Sequence, residues 1–465
     1  MKLIIFIATF FTTTIGMQWG GISANKLCIL PLYLYLMMTT ILIGKHKVTI
    51  PNKNLALFYM GAIVSCILGL LSDNDIYYDG YSSSLILYLI QCLFIYLPLY
   101  IFMCMSSHKE EIKEYFISCF LWSIRIQALF GTLQLICYYV AFFDIGKYVS
   151  ELVAPFITVE SASGTWSSIG WFGSSVYCRP RGFTNDPNFL CVLLVLGAFI
   201  EKRKLLKLLY VVIILLSGTR SPLLVLAGVV LIRWIQNILK MKKLTEKKSS
   251  IQKAVVSIVV IVVAVAVIYN NVSAVQEIAD KQINLLASRM DIFSRSGSKS
   301  ESTMRHIMYY PYGLYSFLVD TNIFQKIVGV GPRTSGSFLQ LNGAIASALN
   351  MDYSTAWPLE CDVMEVLLGF GLLGFLSYYG TVYYLYKKNT SYKAFFLAIA
   401  LYGVMYGIAS LTIVQLIFIV FSSQNNRGKT LTVGSAEISG VAESKPASNA
   451  TAKFSVSRVD KLRML

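Results

Sequence analysis

The chain has 465 residues, 56% of them hydrophobic and only 14% charged, with a formal net charge of +16. Apolar residues in that proportion and in long runs exceed what a soluble domain hides from water, which excludes a soluble globular fold. The excess positive charge does not call for nucleic acid as a partner, because the lysines lie in short stretches between apolar runs.

The opening residues MKLIIFIATFFTTTIG have the flavour of a signal peptide, but no small-residue cleavage site follows and further spans come next. A retained first helix is expected. Runs near the ~20 residues that a bilayer core requires, some of them shorter, predict about twelve spans: 3–17, 27–44, 54–71, 84–105, 115–143, 187–200, 205–218, 221–236, 254–270, 361–386, 393–408 and 410–424. The expected class is an all-α polytopic membrane protein with about twelve transmembrane helices and a long helical external loop. Residues 1–143 would hold five helices, 144–186 an external loop, 187–270 four short helices, 271–359 the large external loop and 360–425 the last three helices. The tail 426–465 is polar, rich in Ser and Ala, and expected to be a disordered cytoplasmic segment.

Lysines mark every second connection: Lys45, Lys47 and Lys53; Lys109 and Lys113; Lys202, Lys204 and Lys207 with Arg203; the stretch RWIQNILKMKKLTEKKSSIQK; and Lys387, Lys388 and Lys393. These connections are expected to face the cytoplasm. The alternate connections carry arginine instead: Arg179, Arg181, Arg220, Arg289, Arg295, Arg305 and Arg333. A lysine is a point charge that suffices for topology, whereas the planar guanidinium fork matches phosphate oxygens. In the large external loop, QEIADKQINLLASRMDIF and RHIMYYPYGLYSFLV read as amphipathic helices near the membrane surface.

Depth sharpens the contrast. As helix, Lys204 to Arg220 rises ~24 Å, Arg220 to Arg233 ~20 Å and Pro187 to Glu201 ~21 Å, against a hydrocarbon core of ~30 Å. The outward ends of these helices are expected to be recessed, and an arginine there needs a partner or a wet cavity. In RPRGFTNDPN, Pro187 suits the first turn of a helix and Asp186 its N-cap, a site that welcomes phosphate. The plain alternative is a capped helix with snorkelling arginines. In LLSGTRSPLL, Gly218 and Pro222 predict a tight hairpin that has no need of Arg220. In WPLECDVMEVLLGFGLLGF, Glu360 and Asp362 fall in a first helical turn, where acids are favoured by the dipole alone. The functional alternative makes one of them a general base, with Glu365 deeper and pairing an arginine.

GFGLLG at 369–374 has the spacing of a dinucleotide fingerprint but lies in an apolar span with no strand before it, so close packing of small residues is the expectation. Asp73, Asp75 and Asp79 read as a polar loop, with a metal site as the competing reading. Of three histidines, His306 beside Arg305 is the one placed externally, and it is weak evidence. Among nine cysteines no C-x-x-C pair occurs; a Cys178–Cys361 disulfide is an unfavoured alternative.

The order of these motifs resembles the O-antigen polymerase and ligase superfamily of bacterial membranes. Arg179-x-x-Gly182 with Pro187-Asn188, then Ser217-Gly218-Thr219-Arg220, then Gly329-Val330-Gly331-Pro332, and the acid before GFGLLG look like its signatures over roughly residues 170 to 390. Ligases of the family carry a histidine where Glu360 stands, so the resemblance favours the polymerase branch. It implies a membrane glycosyltransferase C-type (GT-C-like) architecture in the bacterial cytoplasmic membrane, with the active site outward and neither metal nor cofactor. It implies transfer of a glycan from undecaprenyl pyrophosphate to a second lipid-linked repeat unit, with membrane lipid around it and a chain-length regulator as a conceivable partner. On this reading Arg179, Arg181 and Arg220 bind the donor pyrophosphate, Arg305 the acceptor's, and Glu360 or Asp362 takes the acceptor proton. An O-antigen ligase, a lipid-linked oligosaccharide flippase and a metal-dependent glycosyltransferase using Asp73 and Asp75 are the competing expectations.

Overall fold

The computed structural model describes residues 2–19, 22–27, 29–41, 50–71, 88–89, 91–106, 110–161, 163–172, 175–240, 252, 280, 301–340, 342–343, 345, 359 and 361–422. The chain divides into residues 1–425 and 426–465, and the second part lies wholly outside the described residues. So do the span expected at 254–270 apart from its flanks, the stretch with Asp73, Asp75 and Asp79, and Glu360.

Helices dominate: α1 (Lys2–Thr13), α2 (Ala24–Leu27), α3 (Ile29–Ile41), α4 (Lys53–Leu71), a π-helical turn over Cys92–Tyr96 running into α5 (Leu97–Ser106), and α6 (Glu110–Ala141). They continue as α7 (Ile145–Val153), α8 (Pro187–Ile200), α9 (Lys204–Leu216), α10 (Arg220–Lys240), α11 (Glu301–Val319), α12 (Ile323–Val328), α13 (Ser335–Gln340), α14 (Asp362–Lys388), α15 (Lys393–Met405) and α16 (Thr412–Ser422). Among the described residues, four segments are long and apolar enough to cross a membrane: Lys53–Leu70, Ile112–Ala141, Arg220–Leu239 and Asp362–Lys388. Shorter apolar helices accompany them, Pro187–Ile200 and Thr412–Ser422 included. The protein is therefore a helical membrane protein.

Local chemistry sets the boundaries. The Asp186 side chain accepts from the Asn188 N–H at 2.6 Å with Pro187 in the first turn, so α8 begins where a cap and a donor-free residue coincide. Gly218, at φ +64°, ends α9 in the left-handed conformation that glycine adopts without penalty, and α10 starts two residues later. The core sits around α8 and α16. Every residue of α16 is buried, as are Leu190 to Gly197 of α8. A helix apolar on all sides belongs at the centre of a bundle. Lipid tails are as apolar as leucine, so dispersion between close-packed side chains holds such helices together.

The segment 144–186, expected as a loop, is folded. It contains α7, the strand β3 (Thr158–Val159) and a hairpin of β4 (Ile169–Phe172) and β5 (Ser175–Cys178). β3 pairs antiparallel with β1 (Met17–Trp19), which also pairs with β2 (Ile22–Ser23), giving strand order β2-β1-β3. The fold is predominantly helical, as expected, with two small sheets besides: the three-stranded one joins the connection after α1 to the connection after α6, and the other is the local β4–β5 hairpin. Trp166, Met17, Ala24 and Val159 form the separate apolar cluster beneath them.

The two ends of the bundle differ in their cations. At one end Lys113 donates to Asn389 at 2.9 Å, Lys388 to the Ser422 carbonyl at 3.0 Å, and Asn52 to Ser422 at 3.1 Å, bringing together the turns that carry Lys53, Lys113 and Lys387–Lys388. Arg125 and Glu201 form an ion pair at 2.9 Å at the turn that carries Lys202 and Lys204. At the opposite helix ends lie Arg179, Arg181, Arg220 and Arg333, with Lys147 and Lys326 beside them.

Candidate functional site

The loop Arg179–Asp186 is held by two glutamines that sequence reading passed over. Gln127 and Gln134 are both fully buried on α6, two turns apart and so on one face. The Gln134 side-chain oxygen accepts from the N–H groups of Arg181 and Gly182, each at 3.0 Å, while its amide donates to the Trp166 carbonyl at 2.9 Å. The Gln127 oxygen accepts from Phe183 N–H at 2.6 Å and its amide donates to the Thr13 carbonyl at 3.2 Å. Gly182 has φ +59°, and a side chain there would meet the Gln127 oxygen at 2.5 Å. The loop therefore requires glycine at this position. Phe183 stacks on Phe130 with centroids 4.0 Å apart and edge-on to Trp166 at 5.2 Å. Asn185 donates its backbone N–H to the Ile15 carbonyl at 2.8 Å, bracing the loop against the end of α1.

The second arginine turn docks beside the first. The hydroxyls of Ser217 and Thr219 lie 2.7 Å apart, and both reach the Cys191 sulfur on α8, at 3.1 and 3.2 Å. Arg179 then donates Nε to the Ser217 carbonyl at 3.3 Å, at the C-terminus of α9, where the helix dipole favours a cation. Arg220 is the first residue of α10, the end where the dipole disfavours a cation. The charges of Arg179 and Arg220 repel each other, and so do those of Arg179 and Arg181. Burial holds the Arg181 guanidinium below its ordinary range, with Asp186 and Asp144 opposing that shift and Arg179 adding to it. Its Nη1 donates to the Asn185 carbonyl at 3.3 Å, and its Nε is buried without a hydrogen-bond partner.

The structure thus brings Arg179, Arg181 and Arg220 together, all half-buried, at the N-termini of α8 and α10. The ion pairs among the described residues are Arg125–Glu201 and Lys147–Glu151, so neither Arg179 nor Arg181 has a carboxylate within 4.0 Å there. Three clustered guanidinium groups, one of them at the start of α10, favour an anion with several oxygens. Among the described residues no group of three or more histidines, cysteines or acids could hold a metal ion.

The expected acids behave differently. Asp362 is fully buried; its Oδ1 accepts from the N–H groups of Ile408 and Ala409, both at 2.7 Å, pinning the turn between α15 and α16. Its Oδ2 is buried without a hydrogen-bond partner among the described residues, so the carboxyl is enclosed but only half satisfied. Glu365 binds Arg333 through its backbone, with the Arg333 charge also acting on it: Oε1 accepts from Arg333 N–H at 2.9 Å, and Oε2 from Leu359 N–H at 2.9 Å and from the Ser335 hydroxyl. Glu360 lies outside the described residues. Arg305 and His306 lie in the first turns of α11, and their side chains are not among those described.

Two glycine motifs singled out separately turn out to interlock. Val330 and Gly331 donate their N–H groups to the carbonyls of Leu368 and Gly369, at 2.9 and 3.0 Å. α14 is broken at Gly371 (φ 65°, ψ −172°), where an added Cβ would stand 2.5 Å from the Gly329 nitrogen and from the Ile327 carbonyl. GFGLLG therefore serves close packing as expected, against the end of α12 and the loop that follows it. The Cys178–Cys361 disulfide does not exist: both thiols are free and buried, Cys178 against the Gln134 carbonyl and Cys361 against the carbonyls of Gly403 and Val404.

No known protein family matches the sequence, and no curated protein matches it. What fold and site define is the class: a helical membrane protein with a braced cluster of arginines at one end of its bundle.

Proposed function

We propose that the protein is a bacterial surface-polysaccharide polymerase of the cytoplasmic membrane, with about twelve spans on a GT-C-like plan and its arginine end outward. It transfers a glycan from undecaprenyl pyrophosphate to a second lipid-linked repeat unit. The observation that carries the reading is the convergence of Arg179 and Arg181, on a loop fixed by buried glutamines, with Arg220 at the start of α10, Arg179 repelling each of the other two. Repelling cations persist in a fold only where the rest of the structure imposes them, and they are most useful where negative charge grows. As the glycosidic bond breaks, the leaving pyrophosphate gains charge, and cations already in place stabilise it without reorganising. The chemistry asks for a base near the acceptor hydroxyl, and Glu360 or Asp362 is assigned that role. Arg305 is assigned to the acceptor pyrophosphate.

The test is polymer formation by purified protein in vesicles with lipid-linked repeats and no ion gradient. Arg220→Lys keeps the charge but loses the planar fork, and the expected outcome is a folded protein with at least ~100-fold slower chain growth. Wild-type chain growth in that variant overturns the assignment. Relocation of the lipid-linked glycan without elongation by the native protein indicates a flippase instead.

A further inference from the structure

We propose that α7 and the aromatic turn before it are an interfacial anchor, embedded at the headgroup–acyl boundary of the leaflet on the arginine side. The argument starts on α6. Its exposed large side chains are Trp122, Leu129, Leu133, Ile136 and Val140. On a helix turning ~100° per residue these fall within about 60° of one another. That is a single stripe along a helix long and apolar enough to cross a membrane, on the face opposite Gln127 and Gln134, and on this proposal it faces lipid. The stripe does not stop where the helix does. Val140 is 74% exposed, Phe142 91%, Leu152 67% and Phe156 72%, with Phe143 and Tyr148 between them. Six large apolar side chains in the seventeen positions from Val140 to Phe156, held in the open, make a patch continuous with that stripe.

The exposed half of α7 is itself divided. Gly146 and Ser150 are buried, and Val149 and Val153 pack on the cluster around Trp166. Of the remaining faces, Tyr148 and Leu152 form an apolar edge, while Lys147 and Glu151 form a polar edge and pair at 3.8 Å. A helix with one face on protein, one edge apolar and one edge charged suits a boundary between acyl chains and water, and aromatic residues are favoured at that level. Neither a wholly aqueous nor a wholly apolar surrounding suits both edges.

The anchor is wired to the arginine loop. Asp144 caps α7 by accepting from Gly146 and Lys147 N–H, at 3.1 and 3.3 Å, and the same carboxylate accepts from the Ser168 N–H at 3.2 Å. Ser168 in turn accepts the Arg179 N–H at 2.6 Å through its carbonyl. The depth of the anchor in the leaflet therefore fixes the depth of Arg179, whatever that arginine binds.

The full-length protein carrying photoreactive p-benzoylphenylalanine in place of Phe142, Tyr148, Leu152 or Phe156, one at a time, is reconstituted in vesicles of zwitterionic phospholipid and irradiated. Intact-mass analysis is expected to show phospholipid adducts at these four positions, several-fold more abundant than with the same residue in place of Lys147 or Glu151. Equal adducts on both edges of α7, dimers of the chain in place of lipid adducts, or no lipid adduct at the four positions each overturns the proposal. Four independent positions guard against one substitution that fails to fold.

Discussion

Gln134 offers the sharpest test of how the arginine loop is held. Replacing it by leucine keeps the volume and the helix but removes one acceptor and one donor. Two N–H groups, of Arg181 and Gly182, and the Trp166 carbonyl lose their partner together. A buried polar group left unpaired costs about 1–3 kcal/mol, so the gross loss is about 3–9 kcal/mol. The loop recovers part of this by turning toward water, which leaves a local loss near the lower bound, about 3 kcal/mol. At about 1.4 kcal/mol per factor of ten, that opens the loop about 100-fold more often. Amide hydrogen exchange read on peptides spanning 179–186 measures this directly. The amides of Arg181 and Gly182 are expected to exchange about 100-fold faster in Gln134→Leu, whereas peptides from α8 beyond its first turn stay protected. Gln134→Glu keeps the acceptor and should preserve protection at 181–182 while freeing Trp166. If the leucine variant exchanges these two amides at the native rate, the glutamine brace is not what positions the arginines.

The glycine interlock predicts that Gly371→Ala is destabilising by about 3 kcal/mol or more, because a left-handed φ and a Cβ 2.5 Å from two backbone groups offer no inexpensive relief. A drop of several degrees in the thermal midpoint of purified protein checks it, and an unchanged midpoint contradicts it. The thiol of Cys178 is pushed up to about 12 by burial. The folded protein should resist maleimide at Cys178 below that pH, and its intact mass should not change on reduction. Because the folded value lies above the usual ~8.5 of an exposed thiol, this group's contribution to stability is complete below that value and is lost as pH rises toward 12.

What the sequence disclosed depended on how local the signal was. Pro187 and Asp186 announced the start of α8 to the residue, because capping is decided within four positions. The run 205–218 and the helix after it were legible from Gly218. The hairpin and strands of 144–186 were not: the hairpin strands are only four residues each, and Thr158–Val159 pairs across more than a hundred residues with Met17 and Gln18. Asp144 ahead of the periodic IGKYVSELV was the one cue that reveals α7. Gln127 and Gln134 were visible as polar residues in an apolar run, but their partners lie about fifty residues on, beyond any pattern of spacing. The two arginine motifs could be named from sequence; that they converge depends on the Cys191–Ser217–Thr219 contact, which no periodicity encodes. The acids show the opposite limit. Asp362 and Glu365 fit a helix N-terminus by composition, yet their actual bonds run to turns at 408–409 and 333–335.

The break at Gly371 has a mechanical corollary. Residues 362–370 are bonded to the strand-like stretch at 330–331 and are separated from the remainder of α14 by a single swivel. The hydrogen bonds from Val330 to Leu368 and from the 408–409 turn to Asp362 thus meet on one short helical segment, which ends before the lysine-bearing part of α14 begins.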